Sequence, residues 1–310
     1  MAADPWIVLA AAGVEAVAGY PARLHAAVPH PVAWIGAALR RLNEVLNRGG
    51  DAQRRLAGVL TLLLVAGAAG SAGYLPDRFL QGWALILTIG LGSLGLATRS
   101  LYDHVAAVSK ALAPDTNLPA ARAAVAMIVG RDTAALDAEG VAAAALESLA
   151  ESFNDGVVAP LFWFLVGGLA GLFAYKAVNT ADSMIGHREE PYRCFGWAAA
   201  RTDDLMNLIP ARIAGALIAL VAGRGWRVML RDAGKHASPN SGWPEAAMAG
   251  ALGVQLGGPA SYDGVPHQRP IFGEGPRPSP LDLRRGLGLY LRACAVLAAA
   301  LALGGLAWPR

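Results

Sequence analysis

"ALESLAESFNDGVVAPLFWFLVGGLAG", residues 145–171, sets three carboxylates, Glu147, Glu151 and Asp155, at the mouth of a segment that carries no charge. Bare negative charge beside a bilayer is costly, so these groups are expected to hold a cation. The apolar run 157–175 has Gly167, Gly168 and Gly171 at its middle. Either it crosses the membrane, or a glycine break lets it enter and leave by one face, as irregular backbone does where protein surrounds it.

The surrounding chain fits a membrane. Of 310 residues, 55% are hydrophobic and 16% charged, and the mean hydropathy is +0.40; a soluble domain carries about a quarter charged residues. Apolar stretches at 56–75, 79–98, 157–175 and 286–308 approach the ~20 residues that a helix needs to span. Residues 5–20 and 208–223 are shorter but cross with slight thinning. The Ala/Leu/Gly-rich composition points to helices and not a barrel. The expected fold is therefore all-α: a polytopic integral membrane protein of five or six membrane helices, one of them crossing or re-entrant, in a single domain over 1–310. The first apolar run has no Lys or Arg before it, which favours an uncleaved first helix over a signal peptide.

Loops 21–55, 99–155 and 224–285 hold 6, 4 and 8 Lys or Arg, and the positive-inside rule puts them in the cytoplasm. Stretch 99–155 reads as a helical extramembrane segment, with Asn117 and Asp132 or Thr133 as caps. Stretch 258–285, rich in Pro and Gly, reads as an irregular loop. A formal charge of +3 gives no reason to expect nucleic acid. Two cysteines, Cys194 and Cys294, are too few for a disulfide framework or a zinc quartet.

Three constellations carry chemistry. Glu147, Glu151 and Asp155 follow one another at i, i+4 and i+8, so one helix face presents all three. No Lys or Arg lies between Arg131 and Lys176 to neutralise them. Such hard oxygen donors suit Mg²⁺, which takes one or two carboxylates plus substrate phosphate; an acidic, solvated helix end would look the same. Residues 175–212 gather Lys176, Asn179, Asp182, Arg201, Asp203, Asp204, Asn207 and Arg212, groups that hold phosphate and metal. Residues 231–259 place His236, Ser238, Asn240 and Glu245 about a turn that feeds a small-residue helix, and a helix start is a ready anion site. His25 and His30, beside the first apolar run, carry little information. There is no GxxxxGK[ST] loop, GxSxG elbow, HExxH helix or CxxC pair.

The motifs "IVGRDT" (128–133), "ESLAESFNDGVVAPLF" (147–162), "YKAVNTADSMIGHR" (175–188), "ARTDDLMNLIPAR" (200–212) and "SPNSGWPEAAMAGALGVQLGG" (238–258) resemble, in order, those of the adenosylcobinamide-phosphate synthase family. Where that family usually has Gly-Asp-Pro, this chain has Gly19-Tyr20-Pro21. The resemblance implies a cobalamin-pathway ligase of the cell inner membrane with its site facing the cytoplasm. Such an enzyme joins aminopropanol or its O-phosphate to the free carboxylate of adenosylcobyric acid, consuming ATP with Mg²⁺. It further implies that Glu147, Glu151, Asp155 and Asp182 bind the metal, with Asp203 and Asp204 sharing the task. Lys176, Arg131, Arg201 and Arg212 would hold phosphates, and Asn154, Asn179, Asn207 and Asn240 would orient bound groups. His236 or Asp132 would accept the amine proton. A homo-oligomer or a complex with other enzymes of the pathway is expected. A transporter or a signalling protein without ligase activity is the alternative.

Overall fold

Apolar surface that protein does not cover identifies the membrane helices. The computed structural model describes residues 2–20, 29–79, 84–113 and 117–308; His25 and Pro21 lie outside them. In the span Asp51–Pro76 only 28% of the most apolar window is buried by protein. Leu56, Leu63 and Leu64 point outward, a face suited to lipid. Among the described residues, Asp51–Pro76, Leu85–Ala111, Ala138–Ile185 and Pro280–Leu306 are long and apolar enough to cross, and a fifth is gained if Trp197–Met206 and Leu208–Ala222 count as one span. The chain is thus an all-α membrane protein. Helix α1, Pro5–Ala18, has 14 residues and is about 21 Å long, so it falls short of a bilayer by itself.

The helices in order are α1, α2 (Pro31–Leu46), α3 (Asp51–Phe79), α4 (Ala84–Ser93), α5 (Thr98–Ala111), α6 (Leu118–Ala126), α7 (Ala138–Phe153) and α8 (Ala159–Ile185). They continue with α9 (Tyr192–Phe195), α10 (Trp197–Met206), α11 (Leu208–Ala222), α12 (Trp226–Asp232), α13 (Gly242–Leu252) and α14 (Pro280–Leu306). They divide into two compact units: Met1–Thr98 with Ala159–Asn207 and Leu301–Arg310, and Arg99–Val158 with Leu208–Ala300.

In the first unit the glycine break expected in 157–175 is present. Gly168 has φ 61° and ψ −156°, a backbone state open to glycine and costly for other residues. A Cβ built on Gly171 would lie 2.5 Å from the carbonyl oxygen of Trp163. Eight residues of straight helix would separate the two by about 12 Å, so α8 doubles back at Gly168 as a helical hairpin. Helix α3 packs on it through small residues. A Cβ on Gly73 would come 2.4 Å from Leu169 O, and against α9, which α3 also meets, one on Gly58 would come 1.8 Å from Phe195 O. Backbones meet there because no side chain intervenes.

The second unit revises the reading of 99–155. Residues 99–111 continue the span Leu85–Ala111. Helix α7 is lined by Ala142, Ala144, Ala145 and Leu146, all fully buried, and is no solvated helix. An alanine-rich helix covered by protein on most sides has the same composition as one in water, which explains the misreading. Asn117 caps α6 as expected, accepting from Ala120 N at 2.8 Å. The cap of α7 is instead Asp137, whose Oδ1 accepts from Gly140 N at 2.7 Å; neither Asp132 nor Thr133 serves. A five-residue π turn, Asn154–Val158, follows α7. The supposed irregular loop 258–285 supplies three of the four strands of two antiparallel ribbons. Strand β1 (Leu256–Gly257) pairs with β4 (Ile271–Phe272), and β2 (Ala260–Tyr262) pairs with β3 (Val265–His267). Asp263 and Gly264, both at positive φ, form the two-residue turn between β2 and β3.

Candidate functional site

The second unit gathers charge about the loop that leads into α13. Glu147, 3% exposed, accepts from Arg269 Nη1 at 2.9 Å, from Arg131 Nη2, and from Gly257 N at 2.8 Å. Two guanidiniums and an amide therefore satisfy both of its oxygens, as a buried carboxylate requires. Glu245, in the first turn of α13, is 1% exposed. Its Oε1 lies 3.6 Å from His236 Nε2 and its Oε2 lies 3.8 Å from Arg269 Nη2. Oε2 receives no hydrogen bond. Burial, then the charges of Glu151 and Glu147, push the Glu245 carboxyl well above the usual range. Burial likewise pulls His236 down. Both shifts favour the uncharged form, in an imidazole and a carboxyl that face one another at 3.6 Å. His236 Nδ1 lies 2.9 Å from Ser238 N and 3.3 Å from Ser238 O, so one backbone segment serves either tautomer.

The same loop carries the remaining contacts. Ser238 Oγ accepts from Asn240 N at 3.2 Å. Arg212 Nη1 donates to Asn240 Oδ1 at 3.1 Å, and its guanidinium lies 4.6 Å over the Trp243 ring. Ser241 Oγ donates to the exposed Glu151 at 3.0 Å. Five predicted residues, Glu147, Glu151, Arg212, His236 and Asn240, are thus tied to the Ser238–Glu245 stretch or to its partner Arg269, and Arg131 joins through Glu147. Asn154 Nδ2 donates to Asp155 Oδ1 at 2.7 Å in the π turn, the kind of helical irregularity that often marks functional positions. Asp132 is placed elsewhere. Its Oδ2 accepts from Gly264 N at 2.9 Å, and its own N–H donates to Ser261 O, so it braces the β2–β3 ribbon. The Gly264 amide first, then the Ser261 side chain, hydrogen-bond to the carboxylate and hold its pKa down, which suits a structural carboxylate better than a proton acceptor.

The first unit holds a second cluster. Buried Asp203 accepts from Asn179 Nδ2 at 3.3 Å and from Asn207 Nδ2 at 3.0 Å. Asn207 Oδ1 accepts in turn from Tyr175 OH at 3.1 Å. Helices α8 and α10 supply this network, with Asp182 near enough to act on Asp203 electrostatically. The two asparagine amides are thereby engaged with Asp203. Arg201 and Asp204 form an exposed pair at 3.5 Å, and half-buried Lys176 lies on α8.

The expected metal set is divided: Glu147, Glu151 and Asp155 belong to the second unit and Asp182 to the first. Among the described residues, no three His, Cys, Asp or Glu side chains are grouped to hold a metal ion. Glu147 does not fit a metal, since arginines and an amide take its oxygens. Glu151 and Asp155 offer the hard oxygen donors and the small carboxylate number that Mg²⁺ accepts when phosphate completes its shell.

A family model described as CobD/Cbib protein matches residues 8–290. The chain belongs to the CobD/Cbib family. Similar proteins include the "Cobalamin biosynthesis protein CobD" of Rhodobacter capsulatus, 50% identical over 308 residues and covering 97% of this chain and 98% of that one. The CobD proteins of a Sinorhizobium species (47% over 302 residues, 92% and 93% covered) and of Geobacter metallireducens (45% over 294 residues, 90% of each) are alike too. No solved structure matches the chain. Membership places this CobD/Cbib chain among proteins of cobalamin biosynthesis.

Sequence reasoning missed Arg269 and gave Glu245 no role. Glu245 had a local signal, an acid in the first turn of a small-residue helix. Arg269 had none, since its partner Glu147 lies 122 residues away.

Proposed function

We propose that this CobD/Cbib chain is an ATP-dependent amide ligase. It joins aminopropanol, or its O-phosphate, to the free carboxylate of adenosylcobyric acid, giving adenosylcobinamide or its phosphate. The observation that carries this reading is the arrangement about Ser238–Glu245. An exposed carboxylate, a guanidinium and a histidine are held there by one loop within a membrane protein of this family. The site faces the cytoplasm of the inner membrane, as the basic loops of the second unit support.

A carboxylate resists amines until phosphorylation gives it a leaving group. Phosphoryl transfer asks the protein mainly for cationic clamps and metal positioning. Glu151 and Asp155 would hold Mg²⁺, which supplies charge neutralisation to the ATP phosphates. Arg212, fixed by Asn240 and by the Trp243 ring, clamps a phosphate oxygen. His236 takes the proton released when the amine nitrogen bonds to the activated carbonyl carbon and the phosphate leaves, and Glu245 beside it holds the ring in place. Arg131, Arg269 and Glu147 form the rigid floor. In the first unit, taken by itself, Asp203 fixes Asn179 and Asn207.

Glu151→Ala and Asp155→Ala should each abolish ligation by purified protein and growth of a strain blocked at this step, while membrane insertion is kept. Full activity in either variant overturns the assignment.

A further inference from the structure

A cleft of about 460 Å³ in the second unit lies between α5 and α14. Its lining runs from Tyr102 to Lys110 on one helix and from Arg284 to Leu291 on the other. Lys110 is the second-to-last residue of α5 and Arg284 the fifth of α14. Both cations therefore sit at one end of the helix pair, and the apolar residues lie further along toward the spans. Neither cationic side chain has a hydrogen-bond or ion-pair partner among the described residues. Neighbouring arginines on the same helices do: Arg99 pairs with Asp103 at 3.1 Å, and Arg285 with Asp282 at 3.1 Å. The described residues that line the cleft include no Asp or Glu. Beyond Arg284 the α14 wall is Leu287, Gly288 and Leu291, the facing wall carries Tyr102, Ala106 and Ser109, and a Cβ on Gly288 would meet nothing within 4 Å.

We propose that this cleft binds an anionic phospholipid, with Lys110 and Arg284 on the headgroup phosphate and an acyl chain along Leu287, Gly288 and Leu291. Two cations with no partner among the described residues, at the polar end of membrane helices, suit an anion. The aliphatic wall beyond them gives a small hydrated anion nothing to contact, but it receives a hydrocarbon chain. The site is independent of the ligase reading, and its test needs no turnover.

The test is the melting temperature of the full chain in neutral detergent, titrated with phosphatidylglycerol, with phosphatidylcholine, or with inorganic phosphate. A saturable rise is expected with phosphatidylglycerol and not with the other two. Each near-surface cation contributes about fivefold in affinity. Lys110→Gln and Arg284→Gln should therefore each weaken binding about fivefold, and the pair about 25-fold. Gly288→Leu, which leaves both charges in place and fills open space, should abolish the rise. It also decides the matter if the double variant does not fold. An equal rise with phosphatidylcholine overturns the proposal. So does inorganic phosphate reproducing the phosphatidylglycerol effect, or retention of that effect by Gly288→Leu.

Discussion

Replacing Arg269 by Met keeps the length of the side chain and removes one of the two guanidiniums on Glu147. Breaking a buried ion pair from one side costs about 3–5 kcal/mol, because it leaves a buried charge uncompensated. Here Arg131 and the Gly257 amide remain on the carboxylate, so the lower end, about 3 kcal/mol, is expected. Glu147→Gln strands Arg131 and Arg269, which are 11% and 17% exposed, and should cost a similar amount. The double variant should cost less than the sum, with a coupling of about 1–3 kcal/mol. Thermal unfolding in detergent reads all four corners of the cycle. A magnesium titration of the same proteins separates roles: a structural Glu147 leaves magnesium stabilisation unchanged in Glu147→Gln, whereas a liganding Glu147 would lose it. Single variants costing under about 1 kcal/mol, or additive costs, would refute the floor assigned to these residues.

Glu245 has a raised pKa in the folded protein. Stability from its protonated form is therefore complete below the unfolded value and drains away as pH rises through the folded one, with a slope of up to about 1.4 kcal/mol per pH unit. Melting curves from acid to alkaline pH should show Glu245→Gln gaining on the wild type as pH rises; parallel curves would mean that burial does not hold the proton. On α3, Gly58→Ala should destabilise by about 1–3 kcal/mol through overpacking, since its Cβ meets the Phe195 carbonyl. Gly67→Ala, whose Cβ meets nothing within 4 Å, should be neutral or stabilising by about 0.5–1 kcal/mol; equal melting temperatures for the two variants would contradict the packing described.

What was legible in the sequence was local. Spans follow from composition, and the reversal of α8 follows from Gly167-Gly168, because a positive φ needs glycine wherever the chain breaks. The Asn117 cap stood one residue before its helix. The β2–β3 ribbon had its own signal, Asp263-Gly264 between Tyr262 and Val265, hidden by the prolines around it. The status of Glu147 was not local. At i, i+4 and i+8 it looks equivalent to Glu151 and Asp155, and spacing cannot separate them. Burial does: Glu147 turns into the protein, where arginines from positions 131 and 269 meet it, while Glu151 stays exposed with a single serine hydroxyl upon it. A carboxylate that must hold and release a cation during turnover needs that access, and one fixed by two guanidiniums and an amide lacks it. The acidic series is therefore two things, a buried anchor at Glu147 and, beyond it, an exposed Glu151 with a half-buried Asp155 in the π turn, and only the second suits the chemistry the sequence first suggested for all three.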